Sequence, residues 1–118
     1  MNSVVLPLVV DVYAKPDKIE HVKQVLFDLI EPARKSEGCM KYRLYENVVD
    51  AAHFTIVTQW ASEDAYEDHL QSDCVKKATE LLKDDFSKPA DVKKYKHVHL
   101  DRGSNKKTKN SSTFCIIL

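Results

Sequence analysis

Strand-like and helix-like apolar patterns alternate along the first part of the chain. Residues 4–13 form an almost continuous apolar run, which predicts a strand covered on both faces. Pro7 removes a backbone donor, so we expect this strand at a sheet edge or a bulge. Between residues 19 and 33 the apolar positions recur at helical spacing, with Asp17 placed to cap the helix and Gly38 placed to end it.

Two alternating segments predict a hairpin in the middle of the chain. Residues 39–48 place Met40, Tyr42 and Leu44 on one face of a second strand. Residues 53–60 alternate in the same way and predict a third strand. The side chains expected to share one face of that strand are Phe54, Ile56, Thr58 and Trp60. The short connection between the two segments is typical of a hairpin.

Two short helices and a fourth strand are predicted after the hairpin. Ser62 offers a capping oxygen to a helix over residues 63–71, and a second helix restarts at Ser72. Pro89 is expected to break the chain before a strand over residues 92–100. The resulting order of elements predicts an α+β domain of the ferredoxin-like, split βαβ type. In this fold, helices cover one face of a four-stranded antiparallel sheet.

The other face of that sheet predicts a partner. Strand one is apolar on both sides, and a single domain of this size has no second layer to cover the face without helices. Packing against a second copy of the chain would cover it. We therefore expect a homodimer with twofold symmetry.

Composition and charge divide the chain into a domain and a tail. A hydrophobic content of 43% supports a core in a chain of 118 residues. Residues 1–100 carry a net charge of −3 and residues 101–118 one of +3, which predicts a mildly acidic domain and a flexible basic tail. An acidic domain argues against nucleic acid as a partner. Three cysteines without a CxxC pair, no secretory signal and no apolar span predict a cytoplasmic protein.

The four residues from Cys115 to Leu118 carry a candidate lipidation signal. They match the C-a-a-X pattern, in which a final leucine favours geranylgeranylation of the cysteine. Lys106, Lys107 and Lys109 lie just upstream and would add attraction to an anionic membrane surface. In a eukaryotic source this predicts a cytoplasmic protein that a lipid at Cys115 holds on a membrane. The alternative is an unmodified apolar terminus.

Three side chains form the candidate catalytic group. Trp60 ends the third strand, and Tyr66 and His69 lie three positions apart on one side of the next helix, so all three can converge between sheet and helices. His69 is the candidate base, with Trp60 and Tyr66 as aromatic walls and hydrogen-bond donors. The alternatives are a tryptophan that only packs in a core or dimer interface and a histidine on the helix surface.

A metal site is the weaker interpretation of the remaining histidines. His97 and His99 share a strand face, and this i, i+2 spacing can bind zinc or copper. His53 is a further candidate ligand. No third ligand has a predictive spacing, so ordinary polar residues of a strand are favoured and no metal is expected.

Three short motifs carry a resemblance to a known family. They are Glu37-Gly38-Cys39, Gln59-Trp60-Ala61-Ser62 and His69-Leu70-Gln71-Ser72, and the last two share the spacing W-x-S-x-x-A-x-x-x-H-L. This pattern resembles the antibiotic biosynthesis monooxygenase family of small dimeric α+β barrels, over about residues 4–99. The resemblance implies one of several activities. Members oxidise quinols and aromatic polyketides without a cofactor, degrade haem, isomerise small signalling molecules or have no known activity.

The resemblance assigns roles to some positions and leaves others unmatched. It implies that Trp60 and Tyr66 correspond to aromatic residues of the cofactor-free oxygenases. Ile56 stands where those enzymes use an amide side chain. Thr79 stands where haem-degrading members place the histidine that binds iron, and Cys74 replaces a histidine of quinol-type relatives. We therefore expect no cofactor.

Two functions from different classes follow from the sequence. The first is a membrane-anchored, cofactor-independent monooxygenase for a quinol-like or other small aromatic substrate, with Trp60, Tyr66 and His69 as its catalytic residues. The alternative is a non-enzymatic dimeric barrel that binds a small molecule or a partner protein at a membrane.

Overall fold

Residues 4–98 of the chain are described in a computed structural model. They form one sheet and three helices. In chain order the elements are β1 Leu6–Ala14, a 3₁₀ turn Pro16–Lys18, α1 Ile19–Arg34, β2 Cys39–Glu46, β3 His53–Trp60, α2 Glu63–Leu70, α3 Asp73–Leu82 and β4 Phe86–Lys94.

The four strands pair antiparallel in the order β2-β3-β1-β4. This order, with helices between β1 and β2 and between β3 and β4, confirms the ferredoxin-like α+β prediction. The predicted alternation of β3 is also confirmed, because every second side chain is buried and those between are half-buried. The buried side chains of β3 are Phe54, Ile56, Thr58 and Trp60.

The hydrophobic core lies between the inner face of the sheet and the helices. Its most deeply buried side chains are Leu8, Val22, Phe54 and Trp60. Leu8 comes from β1 and the two aromatic residues come from β3, so the two central strands supply most of the floor on which the helices pack. Full burial of each such side chain contributes about 2 kcal/mol.

Pro7 lies in an inner strand, not at the edge that its missing donor predicts. It is the second residue of β1, which has β3 on one side and β4 on the other. The carbonyl of Pro7 accepts a hydrogen bond from the amide of Tyr95 at 2.8 Å, beyond the end of β4. The nitrogen of an extended residue points to the same side as its carbonyl. The missing donor therefore falls outside the regular β1–β4 ladder, which begins at the pair Leu8 and Lys94.

The start of β4 differs from the prediction, because the strand begins before Pro89 and the predicted range 92–100 starts too late. The register against β1 shifts between Lys88 and Asp91, where β4 contains one residue more than β1. Pro89 lies in this bulge on an edge strand, where the loss of a backbone donor is tolerated. Residues 99 and 100, which end the predicted strand, lie outside the described residues.

Gly38 lies beyond the first helix and not at its end. Helix α1 ends at Arg34, with Lys35 as C-cap. Gly38 has a φ of 85°, in the left-handed region that favours glycine. A Cβ atom at this position would lie 2.5 Å from the side chain of Ala65 on α2. Gly38 therefore lets the start of β2 approach α2, and its carbonyl accepts a hydrogen bond from the amide of Ala61 at 2.7 Å.

Two smaller expectations at the ends of elements are also wrong. Asp17 lies inside the 3₁₀ turn, and α1 starts behind Lys18 without a side-chain capping bond. Met40 is 56% exposed and does not face the core. The register of β2 against β3 shifts between Cys39 and Lys41, which interrupts the alternation at this position.

Candidate active site

A cavity of about 590 Å³ lies between the inner face of the sheet and the helices. Its walls are mostly apolar and come from the strands as well as from all three helices. Apolar residues of the wall include Leu8, Leu26, Ile56, Val75 and Leu82. A largely apolar cavity of this size, with a few polar groups, is typical of a site for a small molecule.

The structure brings the three predicted site residues together in the wall of this cavity. The ring of Trp60 lies 4.7 Å from that of His69 and 6.0 Å from that of Tyr66, measured between centroids. Trp60 is fully buried, and His69 is only 6% exposed. The surface position considered for His69 is therefore wrong.

The turn from β3 into α2 positions these side chains. β3 ends at Trp60, and the hydroxyl of Ser62 accepts a hydrogen bond from the amide of Ala65 at 3.1 Å, as the predicted N-cap requires. Tyr66 and His69 follow on the buried side of α2. One capped turn of chain is thus enough to direct a strand residue and two helix residues into the same cavity.

His69 is a neutral imidazole with a free nitrogen. Its Nδ1 is buried and has no hydrogen-bond partner among the described residues. Burial lowers the pKa of His69, because the charged form is poorly solvated there. A buried polar atom without a partner costs about 1–3 kcal/mol. The exposed area of Nδ1 is below 1 Å², so a ligand that gives this nitrogen a hydrogen bond must first shift the side chains around it.

The indole of Trp60 is already occupied as a donor. Its Nε1 donates to the hydroxyl of Thr58 at 3.1 Å, and that hydroxyl donates to the carbonyl of Leu8 at 3.1 Å. Trp60 therefore forms an aromatic wall, but the expected donation from its N–H to a substrate is not available in this arrangement. Thr58 was not among the predicted site residues. The signal was present, since Thr58 is the polar member of an otherwise apolar strand face.

Two tyrosines lie near the histidine. Burial raises the pKa of Tyr66, an effect that the nearby Lys94 partly offsets. Burial also raises the pKa of Tyr42, whose ring meets His69 edge-on at 6.1 Å. Both side chains are therefore protonated phenols at neutral pH. Tyr42 was not among the predicted site residues, although its place on the same strand face as Leu44 indicated that it points inward.

Of the three positions that the family resemblance leaves unmatched, two line the cavity and the third, Cys74, lies outside its wall. Ile56 and Thr79 line it. Cys74 is half-buried at the start of α3, with its Sγ 3.3 Å from the hydroxyl of Ser72. The cavity thus combines the aromatic residues with the apolar side chain of Ile56 and the hydroxyl of Thr79.

His53 lies on the opposite face of the sheet, in a polar cluster around Asp11. The carboxylate of Asp11 accepts hydrogen bonds from Thr55 at 2.6 Å and from Lys93 at 3.0 Å. His53 Nε2 lies 2.8 Å from the same carboxylate. Burial acts to raise the pKa of Asp11, but these hydrogen bonds outweigh it and lower the pKa to about 2. This histidine is therefore part of a structural charge cluster.

Two of the three proposed metal ligands, His53 and His97, lie within the described residues. Within residues 4–98, no set of three or more His, Cys, Asp or Glu side chains is arranged to hold a metal ion. His97 Nε2 lies 3.3 Å from the side-chain nitrogen of Gln59. His99 lies outside the described residues.

The predicted lipidation site at Cys115 and the lysines 106, 107 and 109 also lie outside the described residues. In the part of the chain that the structure describes, no helix has the length and apolar character needed to span a membrane.

Comparison with known proteins agrees with the fold and with the motifs. A crystal structure of a Pseudomonas aeruginosa protein superimposes with a TM-score of 0.78 at 21% identity, covering 84% of this chain and 99% of the other. A conserved protein from Methanosarcina mazei gives a TM-score of 0.75 at 25% identity, covering 80% of this chain and 94% of the other. Both are similar to this chain across nearly their whole length.

A curated relative is similar in sequence. It is an uncharacterised protein from Synechocystis, 33% identical over 92 residues, or 76% of this chain. The match covers 63% of that relative, so the chain spans less than two thirds of its length. The family model described as antibiotic biosynthesis monooxygenase matches residues 8–81, which include every predicted catalytic residue. The chain therefore belongs to the antibiotic biosynthesis monooxygenase family.

Proposed function

We propose that this protein is a cofactor-independent monooxygenase for a small, lipophilic aromatic substrate with a phenolic hydroxyl group, such as a quinol. The observation that carries the proposal is the buried, neutral His69 in the wall of an apolar cavity, with a ring nitrogen that has no partner. A neutral imidazole of this kind can accept a proton from a bound hydroxyl group.

Deprotonation is the step that the protein must promote. A phenolate gives electrons to oxygen far more readily than a phenol does. One atom of O₂ then enters the aromatic product and the other leaves as water, with all electrons supplied by the substrate. In this scheme His69 takes the hydroxyl proton, Trp60 packs against the substrate ring and the apolar walls exclude bulk water.

The lining of the cavity supports the class of substrate. Thr58 is engaged by Trp60 and by the backbone, and the cationic residue in the wall, Lys83, is paired with Glu80 at 3.2 Å. The remaining polar groups of the wall are the imidazole of His69 and the hydroxyl groups of Tyr42, Tyr66 and Thr79. This favours a substrate that is apolar apart from one or two hydroxyl groups.

Oxygen uptake with a panel of quinols and polycyclic phenols tests the proposal. We expect turnover by the wild-type protein and a loss of about a hundredfold or more in kcat for His69→Gln. His21→Gln is the matched control, because His21 pairs with Asp85 at 2.6 Å on the far side of the domain. Equal rates for wild type and His69→Gln across the panel would exclude His69 as the base.

The proposal includes a homodimer, since proteins of this family are generally dimeric. The sheet face that the helices leave open presents Val9 beside Val57 in register, and both are only half-buried in the single chain. On β2 the same face carries Arg43 beside Val57 and Tyr45, which is 49% exposed, beside Thr55. A second copy packed on this face would cover these side chains.

A lipid anchor at Cys115 is the final part of the proposal. A prenyl group together with Lys106, Lys107 and Lys109 would supply the two signals that stable membrane attachment needs, and it would hold the cavity near lipophilic substrates. This requires Leu118 to be the last residue before processing. Cys115→Ser should move the protein from the membrane to the soluble fraction of a prenylating cell. An unchanged distribution would exclude the anchor.

The second candidate function is a binding protein without catalysis. Ile56 favours it, because an isoleucine cannot donate a hydrogen bond to a substrate oxygen where related oxygenases have an amide. Binding of the same quinols, measured anaerobically by tryptophan fluorescence, without oxygen uptake in air would support this alternative.

A further inference from the structure

A second groove, which is polar, is also lined by His69. Its volume is about 450 Å³, and it is bounded by the turn before β2, the β3–α2 connection and one side of α2. Its polar side chains are Ser36, Glu37, Ser62, Asp64, Asp68 and Ser72. His69 lines this groove as well as the apolar cavity, so one residue borders both.

The cavity and the groove that share His69 are very different environments. On the cavity side the titratable groups near His69 are the two phenols Tyr42 and Tyr66 and, farther along the wall, Lys83. On the groove side they are the carboxylates of Glu37, Asp64 and Asp68. The ring itself is more than nine-tenths buried, and its Nδ1 has no partner among the described residues.

We propose that the polar groove is the proton exit of His69, with Asp64 and Asp68 as the groups that draw the proton away. This inference rests on the proposed function, in which His69 deprotonates the substrate. In the cavity, an O–H bond of the substrate breaks and an N–H bond forms on the ring. On the groove side, a ring N–H bond breaks and the proton passes to water and a carboxylate. A proton returns by the same route when the second oxygen atom leaves as water, so that a complete turnover releases no net proton. No electrons are exchanged in this relay.

The proton has a physical reason to leave by this route. An imidazolium ion facing an apolar cavity is poorly solvated, and a proton cannot diffuse through apolar walls. The groove offers hydroxyl groups, room for water and negative charge, which raises the local concentration of proton carriers. Asp64 and Asp68 lie four positions apart on α2, so their carboxylates follow one another along one side of the helix.

Ser72 holds the histidine end of the groove in place. Its hydroxyl donates to the carbonyl of His69 at 2.6 Å, where α2 ends. The capping residue Ser62 fixes the other end, beside Asp64. The groove is thus a formed feature of the α2 segment, and neutral substitutions of the carboxylates should leave its shape unchanged.

The rate at which His69 exchanges its proton with water tests this inference without any assay of turnover. In protein labelled with ¹⁵N-histidine, NMR relaxation dispersion measures this rate in buffer of low concentration. We expect the double variant Asp64→Asn/Asp68→Asn to slow the exchange about tenfold. Added imidazole buffer should restore the rate, because a mobile carrier replaces the carboxylates.

Asp17→Asn/Asp84→Asn is the matched control, since it removes the same charge at the end of β1 opposite Trp60 and should leave the exchange rate unchanged. An exchange rate equal to wild type in Asp64→Asn/Asp68→Asn, or a slower rate that buffer does not restore, would overturn the inference. Asp68→Asn alone provides a milder variant with the same expected direction. Oxygen uptake by the wild type reports separately on the proposed function, so the two failures are distinguishable.

Discussion

The rings of His69 and Trp60 pack against each other, with centroids 4.7 Å apart and planes inclined by 32°. The indole shields one side of the imidazole from water, and the indole N–H is turned to Thr58 rather than to the histidine. His69 is consequently buried in aromatic surroundings without a hydrogen bond to Nδ1. This combination keeps the imidazole neutral and leaves its Nδ1 without a hydrogen bond.

The stability of the protein should depend on pH through His69. Because burial lowers its pKa in the folded state, the unfolded chain binds the proton more readily. The stability gained from the neutral form is then fully present above about pH 6.5 and lost as the pH falls below it. The free energy of unfolding can be measured with urea between about pH 5 and 8. As the pH is lowered through this range, we expect it to fall more steeply in wild type than in His69→Gln. Parallel curves for the two proteins would contradict the assigned burial of His69.

Replacement of Thr58 should weaken the floor of the cavity. Thr58→Val keeps the side-chain shape but leaves the indole N–H of Trp60 and the carbonyl of Leu8 without this partner, which should cost about 1–3 kcal/mol in the free energy of unfolding. Thr58→Ser retains the hydroxyl and is the control, with a smaller loss. If urea denaturation gives the two variants the same stability, the hydrogen bonds through Thr58 do not stabilise the site.

Gly38 should be sensitive to the addition of a single methyl group. Gly38→Ala forces an alanine into a φ of 85° and brings its Cβ to 2.5 Å from Ala65. We expect a loss of about 2 kcal/mol or more in the free energy of unfolding. In the double variant Gly38→Ala/Ala65→Gly the close contact is relieved but the backbone strain at residue 38 remains. Denaturation should therefore show that part of the lost free energy of unfolding is recovered. A single variant as stable as wild type would mean that β2 does not approach α2 this closely.

A charge on the open sheet face should break the proposed homodimer. Val57→Glu places a carboxylate opposite Val9, where burial against a second copy would be costly. Light scattering should change from twice the chain mass of 13.5 kDa to the single mass. Val48→Glu is the control, because Val48 is fully exposed in the hairpin connection and should leave the dimer intact. A wild-type protein of single-chain mass would exclude the dimer.

The sequence predicted those parts of the fold that depend on local periodicity. The alternation of residues 53–60 and the capping signal at Ser62 are local properties, and both agree with the structure. The predicted bounds of β4 are wrong because Pro89 lies inside the strand and does not break it. Whether a proline can enter a strand depends on which neighbour the strand has and where a bulge falls, and neither is encoded nearby in the sequence.

In the candidate site, too, the sequence predicted the features that depend on local spacing and not those that depend on distant contacts. The convergence of Trp60, Tyr66 and His69 followed from spacing along one strand and one helix. The engagement of the indole N–H by Thr58 requires the rotamers of both side chains, and the groove behind His69 arises from the meeting of the turn at Gly38 with α2. These relationships join residues that are distant in the chain or depend on side-chain geometry, so they emerged only from the structure.

The most direct test of the account is the fate of isotopic oxygen. The substrate is a quinol with which the wild-type protein takes up oxygen. The protein, freed of metals and cofactors, converts it under ¹⁸O₂, and the product is analysed by mass spectrometry. The account predicts one ¹⁸O atom in each product molecule, and no product above background with His69→Gln. Product without ¹⁸O, or the same labelled yield from His69→Gln, would contradict a monooxygenase that uses His69 as its base.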